Sequence, residues 1–182
     1  MQHRLWLTAA LWPALCAPLL AQTDRPAQPE PASTRSEKKL AYAQRYMVAA
    51  AHPLAVEAGL QILDAGGNAV DAMVAVQLVL NLVEPQASGL GGGAYLLHYE
   101  AAGRAVRAYD GRETAPAAAT PELFMRDGKT MAFRDAVIGG RSVGTPGVPR
   151  LLETAHRKHG RLPWAALFRP AIALAENGFP LS

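Results

Sequence analysis

Cysteine is nearly absent. Cys16 is the single thiol in 182 residues, which excludes an intramolecular disulfide framework and any cysteine-built zinc site. Charge is sparse too: 18 Lys and Arg stand against 15 Asp and Glu, and no basic run exceeds Lys38-Lys39. A net charge of +3 spread that thinly offers no stripe on which phosphates are neutralised in number, so no nucleic-acid partner is expected. No internal repeat is present. The longest uncharged N-terminal stretch, Leu5 to Ala21, carries Pro13 and Pro18 and falls short of the about 20 uninterrupted apolar residues of a membrane anchor. What remains is a chain that is 50% apolar, enough for one domain with a real core, punctuated by 16 Gly and 14 Pro.

Arg4 in front of Leu5 to Ala21, with Leu19-Leu20-Ala21 at its end, reads as a secretory signal cleaved after Ala21. Pro13-Ala14-Leu15 lacks the small residue expected beside a lipidated cysteine, so Cys16 leaves with the signal and a thiol-free chain enters a periplasmic or extracellular space. Residues 22–39 hold Pro26, Pro29 and Pro31 among polar residues and no large hydrophobe, the composition of a disordered leader. The folded part is expected over 40–182.

Pro53 opens an apolar stripe through Leu54, Ala55, Ala58, Ile62 and Leu63, closed by Gly66-Gly67. Asn68, with Asp71 three residues on, then caps a run from Ala69 to Val83 that is apolar on nearly every side and belongs in the interior. The two form a helical hairpin. Ala94–Tyr99 and Arg104–Tyr109 around Ala101-Ala102-Gly103 read as two strands, with one face of the second toward solvent. Pro121 to Met125 suggests a helical turn. Two further helices are expected near 148–159 and 164–177, with Gly160 and Gly178 just past their ends. The order helix, helix, strand, strand, loop, helix, helix indicates an α+β fold.

Gly89-Leu90-Gly91-Gly92-Gly93-Ala94 fits G-x-G-x-x-A, but it follows a helix and precedes a strand, the reverse of a dinucleotide site. It is a loop that needs positive φ or close backbone approach, or an amide nest facing an anion or oxyanion. Glu153-Thr154-Ala155-His156 has the spacing of bridged metal bundles without the second copy they need. His156 and His159 sit at a basic helix end that suits the dipole, while His52 and His98 have no companion at ligand spacing. No metal and no cofactor are expected. Ser88 lacks the glycine two residues before it that a nucleophile elbow requires. Arg112, in Asp110-Gly111-Arg112-Glu113-Thr114-Ala115-Pro116, has two readings: a surface ion pair with Asp110 or Glu113, or a fork gripping a carboxylate in a cleft.

Met47-Val48-Ala49-Ala50-Ala51-His52-Pro53-Leu54-Ala55, Gly59, Ile62-Leu63, Gly66-Gly67-Asn68-Ala69-Val70-Asp71-Ala72, Ser88 to Gly93, Arg112 to Pro116 and Gly144-Thr145-Pro146-Gly147 together resemble the γ-glutamyltranspeptidase (glutathione hydrolase) family, in family order from about position 45 to the last residue. The resemblance implies an N-terminal-nucleophile hydrolase, an αββα sandwich made as a self-cleaving precursor. There a freed threonine attacks a γ-glutamyl amide such as glutathione, and water or an amino acid resolves the acyl-enzyme. The matching positions are those of the N-terminal part of the large subunit, so the sandwich is expected to be incomplete and its partner to be the missing C-terminal part with the small subunit. Arg112 falls where the family holds the substrate's α-carboxylate. No threonine here stands in the context of the family nucleophile, so no catalytic residue is assigned. A glutaryl acylase of the same superfamily also needs a carboxylate clamp, and a non-catalytic exported remnant would keep the same arginine.

Overall fold

A computed structural model describes residues 40–181; the expected signal 1–21 and leader 22–39 lie outside the described residues. Helix α1 (Pro53–Asp64) starts where His52 accepts a hydrogen bond from the Leu54 amide at Nδ1, 3.2 Å, and Pro53 supplies a preset φ. It ends before Gly66, whose φ of +89° is the left-handed turn that glycine adopts without a Cβ penalty. Helix α2 (Ala69–Val83) begins with a reciprocal capping box, Asn68 Oδ1 accepting from the Val70 and Asp71 amides and Asp71 Oδ2 from the Asn68 amide. The helices cross closely because Gly59 has no side chain: a Cβ there would lie within 3 Å of Val76 and Val48.

As its all-round apolar pattern requires, α2 runs through the core. Val74, Leu78, Ile62, Val148, Leu152 and Leu167 form one cluster, and Ala55, Ala58, Val79 and Val83 a second. Helix α4 (Val148–His159) and α5 (Arg169–Asn177) pack on α2. The single helix expected over 164–177 is broken: a 3-10 turn, Trp164–Phe168, precedes α5, and Pro170 in the first turn of α5 has no amide with which to continue a helix from upstream. Gly178 ends α5 at φ +78°, as expected. Gly160 does not adopt that conformation; its φ is −65°, and it is small because the His156 ring lies where a Cβ would stand.

Strands β1 (Ala94–Glu100) and β2 (Ala105–Gly111) pair antiparallel, with Leu96 opposite Tyr109 and His98 opposite Arg107. The face turned to α4 is the more polar one. Its outer face carries Tyr95, Leu97, Tyr99 and Val106, each more than half exposed. Pro121 to Met125 is not helical: a turn leads into a short hairpin, β3 (Met125–Arg126) with β4 (Lys129–Thr130), whose Asp127-Gly128 corner takes positive φ. A short helix α3 (Phe133–Val137), for which the sequence provided no periodic stripe, follows. The α+β class holds, with helices and two antiparallel hairpins among the described residues. No helix among them is long and apolar enough to cross a membrane.

Candidate substrate-binding site

Three glycine-bearing segments converge at the end of β2. Gly92 O accepts hydrogen bonds from the Gly147 and Val148 amides at 3.0 and 3.1 Å, and Thr114 and Thr145 exchange two backbone bonds, 3.4 and 2.8 Å. A Cβ at Gly93 would meet Glu113 and the Arg112 backbone within 3 Å; one at Gly147 would overlap Gly111. In the 89–93 loop it is thus Gly93 that close backbone approach requires, and none of the loop's glycines has positive φ. The loop also faces an anion, and that anion is the chain's own Glu113.

Glu113 is held between this loop and Arg112. Its Oε2 is buried, with Arg112 Nε 3.3 Å away and no hydrogen bond of its own. Its own backbone amide holds the carboxyl below the usual range; desolvation opposes this, and the Arg112 cation and the Gly93 amide reinforce it. Of the two partners in the ion-pair reading, Arg112 takes Glu113 with its guanidinium, while its backbone amide donates to Asp110 Oδ1 at 2.9 Å. Yet its side chain remains 57% exposed and borders two cavities. One, about 240 Å³, is shared with Tyr109, Thr145, Arg150 and Thr154. The other, about 360 Å³, is shared with Thr114, Phe124, Arg141 and Ser142. The two volumes straddle the lower end of small-molecule sites, roughly 300–1,000 Å³. A guanidinium at the mouth of two such cavities, oriented by one carboxylate, keeps donors for a second.

The remaining candidates have structural partners. Ser88 donates its amide to Glu84 O in the turn after α2. His156 Nε2 donates to Leu162 O at 2.9 Å and lies 3.5 Å from Asp71. His98, expected to stand alone, is stacked on His159 with centroids 4.2 Å apart, and His159 Nε2 shares a 2.6 Å hydrogen bond with the Tyr109 hydroxyl. These residues lie 61 and 50 positions apart in sequence, so ligand-spacing arguments could not join them. Among the described residues no group of three or more His, Cys, Asp or Glu is placed to hold a metal ion.

The residue that sequence reasoning undervalued is Asp71. Beyond its capping role it is fully buried and accepts the Arg161 and Leu162 amides at 3.0 and 3.2 Å, joining the start of α2 to the segment after α4. The extra signal was an acid three positions past an Asn cap, opening a helix with no other charge.

Residues 55–182 match the γ-glutamyltranspeptidase family. The glutathione hydrolase proenzyme of Bacillus subtilis (strain 168) is 42% identical over 179 residues, which is 96% of this chain and 30% of the relative. The acylase ACY 1 proenzyme of Pseudomonas sp. (strain SE83) is 42% identical over 157 residues, 83% of this chain and 28% of the relative. The crystal structure of Helicobacter pylori γ-glutamyltranspeptidase superposes with a TM-score of 0.74 at 34% identity, covering 79% of this chain and 41% of that one. The chain thus spans about 30% of the length of these two curated relatives.

Proposed function

Because the chain belongs to the γ-glutamyltranspeptidase family, we propose that it is the N-terminal part of a γ-glutamyl hydrolase or transferase, and that Arg112 grips the α-carboxylate of a γ-glutamyl donor such as glutathione. The match of residues 55–182 to the family carries this reading; the placement of Arg112 between two cavities supports it. In the complete enzyme a threonine hydroxyl, with its own freed amine as base, attacks the γ-amide carbon. The amine leaving group departs with a proton, and water or an amino acid then takes the γ-glutamyl group. This chain contributes the grip and not the nucleophile. Export behind a signal at residues 1–21 places the reaction in the periplasm or outside the cell.

The likeness to an acylase supports a second reading, in which the arginine holds the free carboxylate of a glutaryl side chain. The two separate on substrate: a γ-glutamyl anilide carries an α-amino group that a glutaryl anilide lacks.

The test is Arg112→Ala and Arg112→Lys in the complete enzyme, reading kcat/KM and unfolding midpoint together. Truncation that leaves a substrate carboxylate desolvated and unpaired should lower transition-state binding by about 2–5 kcal/mol. Lysine should recover only part, because it keeps the charge and loses the fork. A folded, self-cleaved Arg112→Ala enzyme with unchanged kcat/KM would refute the grip.

A further inference from the structure

The larger of the two cavities beside Arg112 has a second guanidinium on its wall. Arg141 Nη1 donates to the Leu123 carbonyl at 2.6 Å, a main-chain anchor that orients the fork while consuming one of its five N–H donors. Among the described residues Arg141 forms no ion pair, whereas Arg150, bordering the smaller cavity, is already paired with Glu153 at 3.0 Å. In the Arg141 cavity the only carboxylate on the wall is Glu113, and Glu113 is paired with Arg112. The wall therefore keeps one uncompensated positive charge, on Arg141. The other lining groups are small or apolar, including Ala115, Pro116, Val143 and Phe124, and Ser142 Oγ already donates to Val137 O. Nothing else on this wall answers the Arg141 charge, so an anionic group on a bound ligand finds a partner there.

We propose that Arg141 selects donors bearing a second carboxylate, remote from the γ-glutamyl bond, so that γ-glutamyl peptides with a free C-terminus are preferred over γ-glutamyl amides with a neutral leaving group. This rests on the reading of Arg112 as the grip on the first carboxylate. With one carboxylate on Arg112, a second carboxylate on a peptide donor has Arg141 on the wall of the same cavity. A donor with a neutral leaving group leaves Arg141 in water and neither gains nor loses by it. Because Arg141 is exposed, the contribution is that of a solvent-screened pair, roughly fivefold in affinity. It appears in KM more than in kcat, because the remote carboxylate is bound equally before and during the reaction.

The experiment compares three donors in the complete enzyme by release of free glutamate or of p-nitroaniline: glutathione, its glycine ethyl ester, and γ-glutamyl-p-nitroanilide. The unsubstituted enzyme should favour glutathione over the ester by roughly fivefold. Arg141→Gln should abolish that preference, raise KM for glutathione and leave the anilide unchanged, with Arg141→Lys retaining most of the discrimination. Equal kcat/KM for glutathione and its ester in the unsubstituted enzyme would overturn the proposal without any variant having to fold. So would an Arg141→Gln enzyme that loses all three donors alike, which would mark the Leu123 contact as merely structural. Arg112→Ala run in parallel separates the two failures. If it impairs every donor while Arg141→Gln spares glutathione, the grip stands and the selection falls; if it impairs none, both fall.

Discussion

Asp71→Ala should be among the most damaging single substitutions in the described chain. The carboxylate is fully buried and accepts the Asn68, Arg161 and Leu162 amides at 3.0 to 3.2 Å, and His156 Nε2 lies 3.5 Å from it. Each amide left shielded without an acceptor loses about 1–3 kcal/mol. The favourable placement of negative charge at the start of α2 disappears as well. Water entering the vacated space recovers part of the loss, so the net effect should be about 3–5 kcal/mol, the range for removing one partner of a buried charged network. Against a total stability of about 5–15 kcal/mol, that is a large fraction, and a chain at the lower end of the range would be left with little or no net stability. Asp71→Asn keeps the shape and one acceptor oxygen and should lose less, about 1–3 kcal/mol. Urea titration of the three proteins, with m-values compared, measures both differences. Hydrogen exchange adds a local readout, since the Arg161 and Leu162 amides should lose protection before the middle of α2 does. An Asp71→Ala protein destabilised by less than about 1 kcal/mol, or one whose Arg161 and Leu162 amides stay protected, would refute the reasoning.

The chain alone, without the family's C-terminal part, should neither hydrolyse a chromogenic γ-glutamyl anilide nor cleave itself. Turnover above a mock purification, abolished by changing one of its threonines, would show that a nucleophile had been missed. Desolvation lowers the His159 pKa below 6.5, and His98, Arg107 and Lys158 add to this while Glu100 opposes it. The unfolded chain then binds more protons than the folded one just below pH 6.5, so the contribution of this histidine is present above that pH and is lost as pH falls toward the depressed folded value. Unfolding midpoints measured from pH 7.5 to 5 should fall less steeply in His159→Gln than in the unsubstituted protein; parallel curves would rule out His159 as the group responsible. Protein recovered from the periplasmic fraction should begin at Gln22, and N-terminal sequencing that finds Met1, or a lipid on Cys16, would contradict the cleavage assignment.

Local physics was legible in the sequence wherever one segment decides its own conformation. Pro53, the Asn68 and Asp71 pair and Gly66 mark the ends of α1 and α2, because caps and positive φ are satisfied by residues within four positions of each other. The all-round apolar run from Ala69 to Val83 placed α2 inside, since no other location removes every face from water. The family was legible for a related reason: the spacing of several glycine segments is written in order along the chain.

What the tertiary structure alone decided is which distant groups share a charge or a surface. Alternation in the second strand pointed to a solvent-facing side, but not to which face packs on α4, where His159 meets His98 and Tyr109. The G-x-G-x-x-A loop could have needed positive φ; only its approach to Glu113 and Gly147 shows that it needed space. Arg112 had two readings in the sequence because its partners within the motif, Asp110 and Glu113, are close in the chain, while the two cavities that it borders, one with Arg141 on its wall, are completed by segments packed against it. Sequence distance says nothing about such neighbours, because hydrogen bonds and ion pairs act over a few ångströms and are set by packing.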